Sequence, residues 1–264
     1  MKLSLIHNQY RRNPHCKESV RIGLYALQQE KVDYEYIIFN DNGDTEIEED
    51  MKEFLGDPRV KYIYSIINFG HKTCTGGWVG ALPHITGDLV HNMGQDDVFT
   101  PMFYRLGLNL LANDDKLMLV HSNAFSCDEN LKVTNIMLSP HSSPDYYTDP
   151  FHCWKSWFGV EESKNEVTRA NNNFLAPGVI YHRKLHDLIG PPDLDNFLGA
   201  ADFEFWSRIL FHEYKCLSIP LPTWLYRSSK YSTSAGDNQD TLIKNWVDKV
   251  RQKYYNLYEE KKLK

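Results

Sequence analysis

Short apolar runs alternate with helix-period patterns along the first half of the chain. Three runs predict strands: LSLIH at 3–7, YEYIIF at 34–39 and the segment 60–67. The segments between and after them carry apolar residues at helical spacing and predict helices over 16–30, 47–54 and 75–85. Strand, loop and helix in repeated order predict an α/β domain with a mostly parallel central sheet and right-handed crossovers.

Polar residues follow three of the predicted strands at the point where each strand ends. They are Asn8 and Tyr10 after the first strand, Asp41 and Asn42 after the second, and Asp96 and Asp97 after a strand within 87–93. The carboxyl ends of parallel strands meet at one edge of a sheet, and open α/β sheets bind their ligands there. We therefore expect these six residues to line one crevice.

The stretch GDLVHNMGQDDVF at 87–99 is the strongest candidate for chemistry. Its apolar start predicts a buried strand, after which Asp96 and Asp97 follow directly. Two adjacent carboxylates repel each other unless a cation lies between them and a ligand, and hard divalent cations prefer oxygen ligands. The alternative to a cation site is that Asp96 and Asp97 form an ordinary acidic turn or the start of a helix. Likewise, Asp41 could simply form an Asx turn before Gly43.

Composition excludes several classes of protein. A net charge of −6 without a long basic block argues against a nucleic-acid binder. The five cysteines are scattered without a CxxC pair, which favours reduced thiols in a cytoplasmic protein. No stretch is apolar enough for a predicted membrane span. Neither GxGxxG nor GxxxxGK[ST] occurs, so neither a dinucleotide fingerprint nor a P-loop is expected.

The order of several motifs resembles that of family 2 glycosyltransferases. The opening strand, a helix carrying Ser19, the YEYIIF strand and DNGDT at 41–45 are similar to the start of the family. GDLVHNMGQDD is similar to the segment that leads into the family's DxD metal motif. FLGAADFEFW at 197–206 resembles the stretch with the ED motif, and LYR at 225–227 resembles the terminal YR segment. The resemblance covers residues 2–232.

This resemblance implies a GT-A fold and an inverting sugar transfer. The donor would be a UDP-, GDP- or dTDP-linked sugar, and the acceptor a hydroxyl of a saccharide or lipid-linked saccharide. Asp97 would coordinate Mn²⁺ or Mg²⁺ on the diphosphate, and Asp96 would contact the metal or the donor ribose. Asp202 would be the catalytic base. Asp41 would contact the nucleobase or the ribose of the donor. The residues expected on the donor side are Asn8, Tyr10, Asp41, Asn42, Trp78, Asp96 and Arg227.

Three positions depart from the family's pattern. Asn42 stands where the family more often has a second Asp, and Gly94 replaces the first Asp of the DxD motif. Trp78 falls where many members have an Arg. The candidates for the donor contact of that Arg are His71, Lys72 and Arg227.

Asp202 begins a predicted helix whose apolar residues include Phe203, Trp206 and Ile209. A carboxylate at this place is held on a rigid element, and a helix N-terminus favours its ionised form. An ionised carboxylate is what a general base requires. The alternative is that Asp202 only caps the helix. Glu204 is then the second candidate base, and Asp195 is another.

A long irregular segment over 117–173 contains an early strand at 117–121 and many aromatic residues. These are Tyr146, Tyr147, Phe151, Trp154, Trp157 and Phe158. Long irregular segments in compact domains are usually functional, so we expect an acceptor-side wall whose aromatic rings stack on sugar faces. The alternative is that Trp154, Trp157 and Phe158 form the apolar stripe of a helix.

We predict a single domain over 1–264. Residues 1–120 form the nucleotide-sugar-binding half, 121–232 the acceptor and catalytic-base half, and 233–264 a C-terminal helix. That helix is expected to pack on the domain, with homodimer formation or a peripheral membrane contact as alternatives. Two other functions stay open at this point: a sugar nucleotidyltransferase, or a non-catalytic carbohydrate-binding protein that keeps the fold with a decayed site.

Overall fold

A computed structural model of the chain describes residues 1–70, 74–138, 150–157, 160–163, 166–169, 177–231 and 239–263. The strands are β1 (Leu3–Gln9), β2 (Tyr34–Asn40), β3 (Val60–Tyr64), β4 (Leu89–Met93), β5 (Val98–Phe99), β6 (Leu117–Cys127), β7 (Val133–Met137), β8 (Val160–Ser163), β9 (Glu166–Arg169), β10 (Val179–His182) and β11 (Lys215–Arg227). The helices are α1 (Cys16–Gln29), α2 (Glu46–Met51), α3 (Cys74–Ala81), α4 (Pro101–Asn113), α5 (Pro150–Trp157), α6 (Leu185–Ile189), α7 (Leu194–Phe197), α8 (Ala201–Phe211) and α9 (Gln239–Lys262).

One large sheet organises the fold, in the order β3-β2-β1-β4-β10-β6-β11-β5, with β7 paired to β6. The first four strands in this order are parallel to one another, as are β6 and β11. Strand β10 runs antiparallel between β4 and β6 and joins the two parallel groups. Strands β8 and β9 form a separate hairpin. The predicted α/β class with helices flanking a central sheet is confirmed.

Two strand ends differ from the pattern of apolar residues. Strand β3 stops at Tyr64 although the apolar run continues to residue 67, because its neighbour β2 ends at Asn40, the partner of Tyr64. Ile66, beyond this last pair, is 87% exposed. Strand β6 continues to Cys127, well past the predicted run, because β11 pairs with it over its whole length. Strand pairing, and not only the local sequence, sets both ends.

Apolar side chains cover both faces of the sheet. On one face α1 and α4 pack with residues such as Leu27 and Phe103, and on the other face α3, α5, α8 and α9 pack together. Trp154 of α5 is fully buried there and contacts Tyr258 of α9. The helix interpretation therefore holds for Trp154, which cannot stack on a sugar. Tyr146, Tyr147, Phe158 and the side chain of Trp157 lie outside the described residues.

Three glycines let α3 lie directly on the sheet and its loops. A Cβ atom on Gly77 would come within 2.8 Å of the Asn8 side chain, and one on Gly80 within 2.8 Å of the Phe39 ring. At Gly76 it would come within 2.0 Å of the backbone of Gly70. The glycines of the GGWVG sequence thus allow α3 to pack closely against the sheet and its loops. In the part of the chain described, no helix has the length and apolarity to cross a bilayer.

A buried carboxylate ties the amino ends of β1 and β2 to the segment before β4. Glu35 accepts hydrogen bonds from the Ser4 hydroxyl at 2.6 Å and from the backbone and side chain of Thr86. Lys2 and Lys61 lie 3.3 and 3.2 Å from Oε2, the oxygen that also accepts from the Thr86 hydroxyl. Burial alone would raise the pKa of Glu35, but these hydrogen bonds outweigh it and lower the pKa to about 2.

We expect Glu35→Gln to destabilise the fold at neutral pH and to flatten its acid sensitivity. A lowered folded-state pKa contributes stability above the unfolded value near 4.5, and this contribution is lost as the pH falls towards 2. Urea unfolding at pH 7, 4 and 3 should therefore show a difference between wild type and variant that shrinks with acidity. Glu53→Gln, at an exposed ion pair, is the control and should show little difference. A constant difference at all three pH values would contradict the prediction.

Candidate functional site

The carboxyl ends of β2, β1 and β4 lie side by side at one edge of the sheet. Gln9 at the end of β1 pairs with Asn40 at the end of β2, and His7 pairs with Met93 at the end of β4. The polar residues predicted to meet at this edge all follow or end these strands: Asn8, Tyr10, Asp41, Asn42, Asp96 and Asp97. The sheet therefore brings the predicted strand-end residues to one edge.

Three consecutive backbone carbonyls of the turn at residues 95–97 are each bound by a buried side chain. The first accepts from Nε2 of His7 at 3.1 Å, and the second accepts from Nε of Arg227 at 3.1 Å. The third accepts from the Ser19 hydroxyl. The three side chains come from β1, β11 and α1, so the turn is fixed by three separate parts of the fold.

The imidazole of His7 holds its part of this turn as a neutral group. Burial lowers the pKa of His7 to about 4, against the opposing effect of its backbone hydrogen bonds. Because a carbonyl only accepts, Nε2 of His7 must carry the proton that is donated to Gln95. Nδ1 is then an acceptor and takes a hydrogen bond from the Tyr36 hydroxyl at 3.1 Å. Both ring nitrogens are satisfied without a charge.

The two carboxylates of the turn are both buried. Asp96 is 8% exposed and Asp97 is 4% exposed. Burial raises the pKa of Asp97 well above its usual range and the charge of Asp96 raises it further, while Arg227 opposes both effects. A Cβ atom on Gly94 would lie 2.7 Å from Oδ2 of Asp97. The Asp97 carboxylate thus occupies the space in which a side chain at position 94 would begin.

Arg227, which was expected to contact the donor, lies beside the carboxylate pair with its guanidinium buried in the protein. Its side chain is 0% exposed and forms an ion pair of 2.7 Å with Glu18. It also donates to the carbonyls of Asp96 at 3.1 Å and Glu129 at 2.9 Å. The backbone N–H of Arg227 faces Oδ1 of Asp97 at 3.4 Å. These contacts connect α1, the 95–97 turn and the loop after β6.

The β2 exit is organised by Asp41. Its carboxylate accepts from the backbone N–H of Phe69 at 2.8 Å and of Gly70 at 3.1 Å, and so holds the loop after β3. Asn42 has a φ of 55°, a left-handed conformation that Asn tolerates better than most residues. The Asn at this position is thus explained by backbone geometry. His71 and Lys72, candidates for a phosphate contact, lie outside the described residues.

Two further predicted donor residues sit differently from one another. Asn8 is buried at this edge of the sheet and donates to Asn92, while its Oδ1 has no hydrogen-bond partner among the residues that the structure describes. Trp78, by contrast, is 0% exposed in the core, where it stacks on Trp206 with ring centroids 5.3 Å apart. Its indole N–H donates to the Tyr181 hydroxyl at 2.9 Å. Because Trp78 is buried on all sides, the expected contact with the donor is wrong, and the side chain packs in the core instead.

Asp202 lies in the first turn of α8 and is half-buried. The N-cap position belongs to Ala200, so the interpretation of Asp202 as the cap is wrong. Its Oδ1 accepts from the backbone N–H of Phe203 at 2.7 Å. The turn Leu198–Ala200 before the helix packs against α3, which itself lies on β1 and β2. This packing puts the start of α8 on the same side of the sheet as α3.

Glu204, the second candidate base, is committed to a buried ionic cluster. It is 1% exposed, and its carboxylate accepts from Lys253 at 2.8 Å and from the Tyr254 hydroxyl at 2.7 Å. Arg208, one turn along α8, lies 3.0 Å from its other oxygen. These contacts fasten α9 to α8, so Glu204 serves the fold and is not available to a substrate.

Several residues of the site were not among the site residues predicted from the sequence. They are His7, Asn13, Glu18, Ser19 and Ser229. Ser19 offered a weak signal, because a serine on the buried face of an apolar helix needs a hydrogen-bond partner. The others gain their significance only from partners far along the chain.

The fold is that of the GT-A glycosyltransferases. Residues 18–176, more than half of the chain, match the model of glycosyl transferase family 2. The chain belongs to this family. No curated protein sequence matches it.

Solved structures give the same picture of the fold. TarS 1–349 from S. aureus, in complex with UDP, superposes with a TM-score of 0.60 at 12% identity, over 94% of this chain and 64% of TarS 1–349. Mannosyltransferase PcManGT from Pyrobaculum calidifontis, in complex with GDP-Man and Mn²⁺, gives 0.58 at 17% identity, over 88% of this chain and 58% of that one. A complex of TarS 1–349 with UDP-GlcNAc gives 0.58 at 13% identity, over 97% and 72%. This chain thus spans less than two thirds of the first and second of these structures.

Proposed function

We propose that this protein transfers a sugar from a nucleotide-diphosphate sugar to a hydroxyl acceptor, with inversion at the anomeric carbon. The observation that carries the proposal is the fixed carboxylate turn at residues 95–97, set at the ligand-binding edge of a family 2 fold. Support comes from the similar structures, which hold UDP, UDP-GlcNAc, or GDP-Man with Mn²⁺. The acceptor class is a saccharide or a lipid-linked saccharide.

Asp96 and Asp97 are the proposed ligands of Mn²⁺ or Mg²⁺. Their chemistry fits a hard cation, because both are carboxylates of one turn and the charge of Asp96 opposes ionisation of Asp97. A cation removes that repulsion. Among the residues that the structure describes, no group of three or more His, Cys, Asp or Glu side chains could hold a metal. The diphosphate and water oxygens would therefore complete the coordination, as is usual for Mg²⁺. When bound, the ion neutralises charge on the departing diphosphate.

The remaining steps belong to the chain's own residues. Asp202 accepts the proton of the acceptor hydroxyl. At the same time the oxygen of that hydroxyl attacks the anomeric carbon on the side opposite the diphosphate. The new glycosidic C–O bond forms as the C–O bond to the diphosphate breaks, and the configuration inverts. Asn8, Tyr10, Asp41 and Asn42 line the donor side of the crevice. Arg227 acts on the donor indirectly, through the turn that it holds.

We expect donor binding to depend on a divalent ion and on Asp97. A panel of UDP-, GDP- and dTDP-sugars, screened by thermal shift, should reveal a donor that raises the melting temperature with Mn²⁺ and not with EDTA. A ligand at 100 times its Kd stabilises by about 2.7 kcal/mol. Asp97→Asn should remove the Mn²⁺-dependent shift. It should keep the unliganded melting temperature, because the amide oxygen can still accept from Arg227.

Asp88→Asn is the matched control for this experiment. Asp88 lies just before β4, at the opposite end of the strand, and is exposed. Its variant should retain the full Mn²⁺-dependent shift. Calorimetry that finds equal donor affinity in EDTA and in Mn²⁺ would overturn the metal assignment. Release of pyrophosphate, and not of a nucleoside diphosphate, would identify a nucleotidyltransferase instead.

A further inference from the structure

Among the residues that the structure describes, two from opposite ends of the chain donate hydrogen bonds to one oxygen of the Asp96 carboxylate. Oδ2 accepts from the Asn13 side-chain amide at 3.3 Å and from the Ser229 hydroxyl at 3.0 Å. The two donors lie 83 and 133 positions from Asp96 in the sequence. Asn13 is 6% exposed and Ser229 is 7% exposed, so neither bond is open to competition from bulk water.

Each of these two donors is itself oriented by a backbone amide. The Ser229 oxygen accepts from the N–H of Tyr231 at 3.2 Å, which leaves its proton for Asp96. The side-chain oxygen Oδ1 of Asn13 accepts from the backbone N–H of His15 at 2.9 Å, and this turns the side-chain NH₂ group towards Asp96. Both donors are therefore fixed in direction before any ligand arrives.

We propose that Asn13 and Ser229 are positioning residues that fix the plane of the Asp96 carboxylate for a divalent cation. The inference rests on the proposed function, since it concerns the same metal site. A carboxylate with two oriented donors on one oxygen cannot rotate freely, so its oxygens meet the cation without a loss of side-chain freedom. Hydrogen bonds to metal ligands commonly set metal affinity in this way, and their loss costs about 10- to 100-fold in affinity.

The test is a titration with Mn²⁺, followed by the electron paramagnetic resonance signal of the free ion. Wild type, Asn13→Ala, Ser229→Ala and the double variant are each titrated alone, with UDP and with GDP. We expect the apparent Kd for Mn²⁺ to rise about tenfold in each single variant and about 100-fold in the double variant. Ser229→Thr, which keeps the hydroxyl, should restore affinity. Thermal melting of each variant shows that it is folded.

Ser228→Ala is the matched control, because Ser228 is the exposed neighbour of Ser229. It should leave Mn²⁺ affinity unchanged. If wild type binds Mn²⁺ and the folded Asn13 and Ser229 variants bind it equally well, the positioning role is overturned while the proposed function stands. If wild type binds no Mn²⁺ under any of the three conditions, the metal assignment itself fails and the inference falls with it. Should one single variant not fold, the other decides alone, since each removes one of the two bonds.

Discussion

Asp202→Asn should reduce sugar transfer by about 10²- to 10⁴-fold and leave donor affinity almost unchanged. The amide keeps the size of the side chain but cannot take up the proton of the acceptor hydroxyl. Its oxygen can still accept from the N–H of Phe203, so α8 should keep its start and the protein its melting temperature. The measurement pairs the transfer rate, with an acceptor that responds, and the thermal midpoint of wild type and variant.

The control for this prediction is Asp195→Asn. Asp195 is an exposed carboxylate of the neighbouring short helix α7, and its loss should leave transfer unchanged. Near-normal transfer by Asp202→Asn would contradict the assignment of Asp202 as the catalytic base. Glu204 would not then be the replacement, because its carboxylate is already shared among Lys253, Tyr254 and Arg208.

Glu204→Ala should lower the free energy of unfolding by about 3–5 kcal/mol, a large part of the stability of an ordinary domain. The substitution leaves the Tyr254 hydroxyl, which is buried, without its acceptor and leaves Arg208 and Lys253 without their counter-charge. Because these groups join α8 to α9, the loss should appear as a lower urea midpoint for the whole domain. Equilibrium urea unfolding monitored by tryptophan fluorescence measures it.

A second ion pair between the same two parts of the fold provides the comparison. Glu213 follows α8 and pairs with Lys261 of α9, with side chains 56% and 47% exposed. Exposed pairs contribute little, so Glu213→Ala should cost less than about 1 kcal/mol. Equal losses for the two variants would show that burial of Glu204 is not the source of its effect.

The sequence by itself determined the architecture of the first parallel strands and the sheet edge at which the proposed site lies. Apolar runs of strand length and helical periods in alternation were sufficient to predict the parallel strands β1 to β4, because these signals are local. The pattern also predicts approximately where β1, β2 and β4 end, whereas the end of β3 is set by its pairing with β2. Asn8, Asp41 and Asp96 could therefore be assigned to one edge from the sequence alone.

Only the tertiary structure decided what several of these residues do. Arg227 was expected to contact the donor, yet its guanidinium is bound by partners that lie 98, 131 and 209 positions away in the chain. Trp78 was expected to contact the donor, but it is buried in α3, where it contacts Trp206 and Tyr181. Asn13 and Ser229 converge on a single oxygen of Asp96. Local spacing carries no information about such contacts, because packing of distant segments creates them.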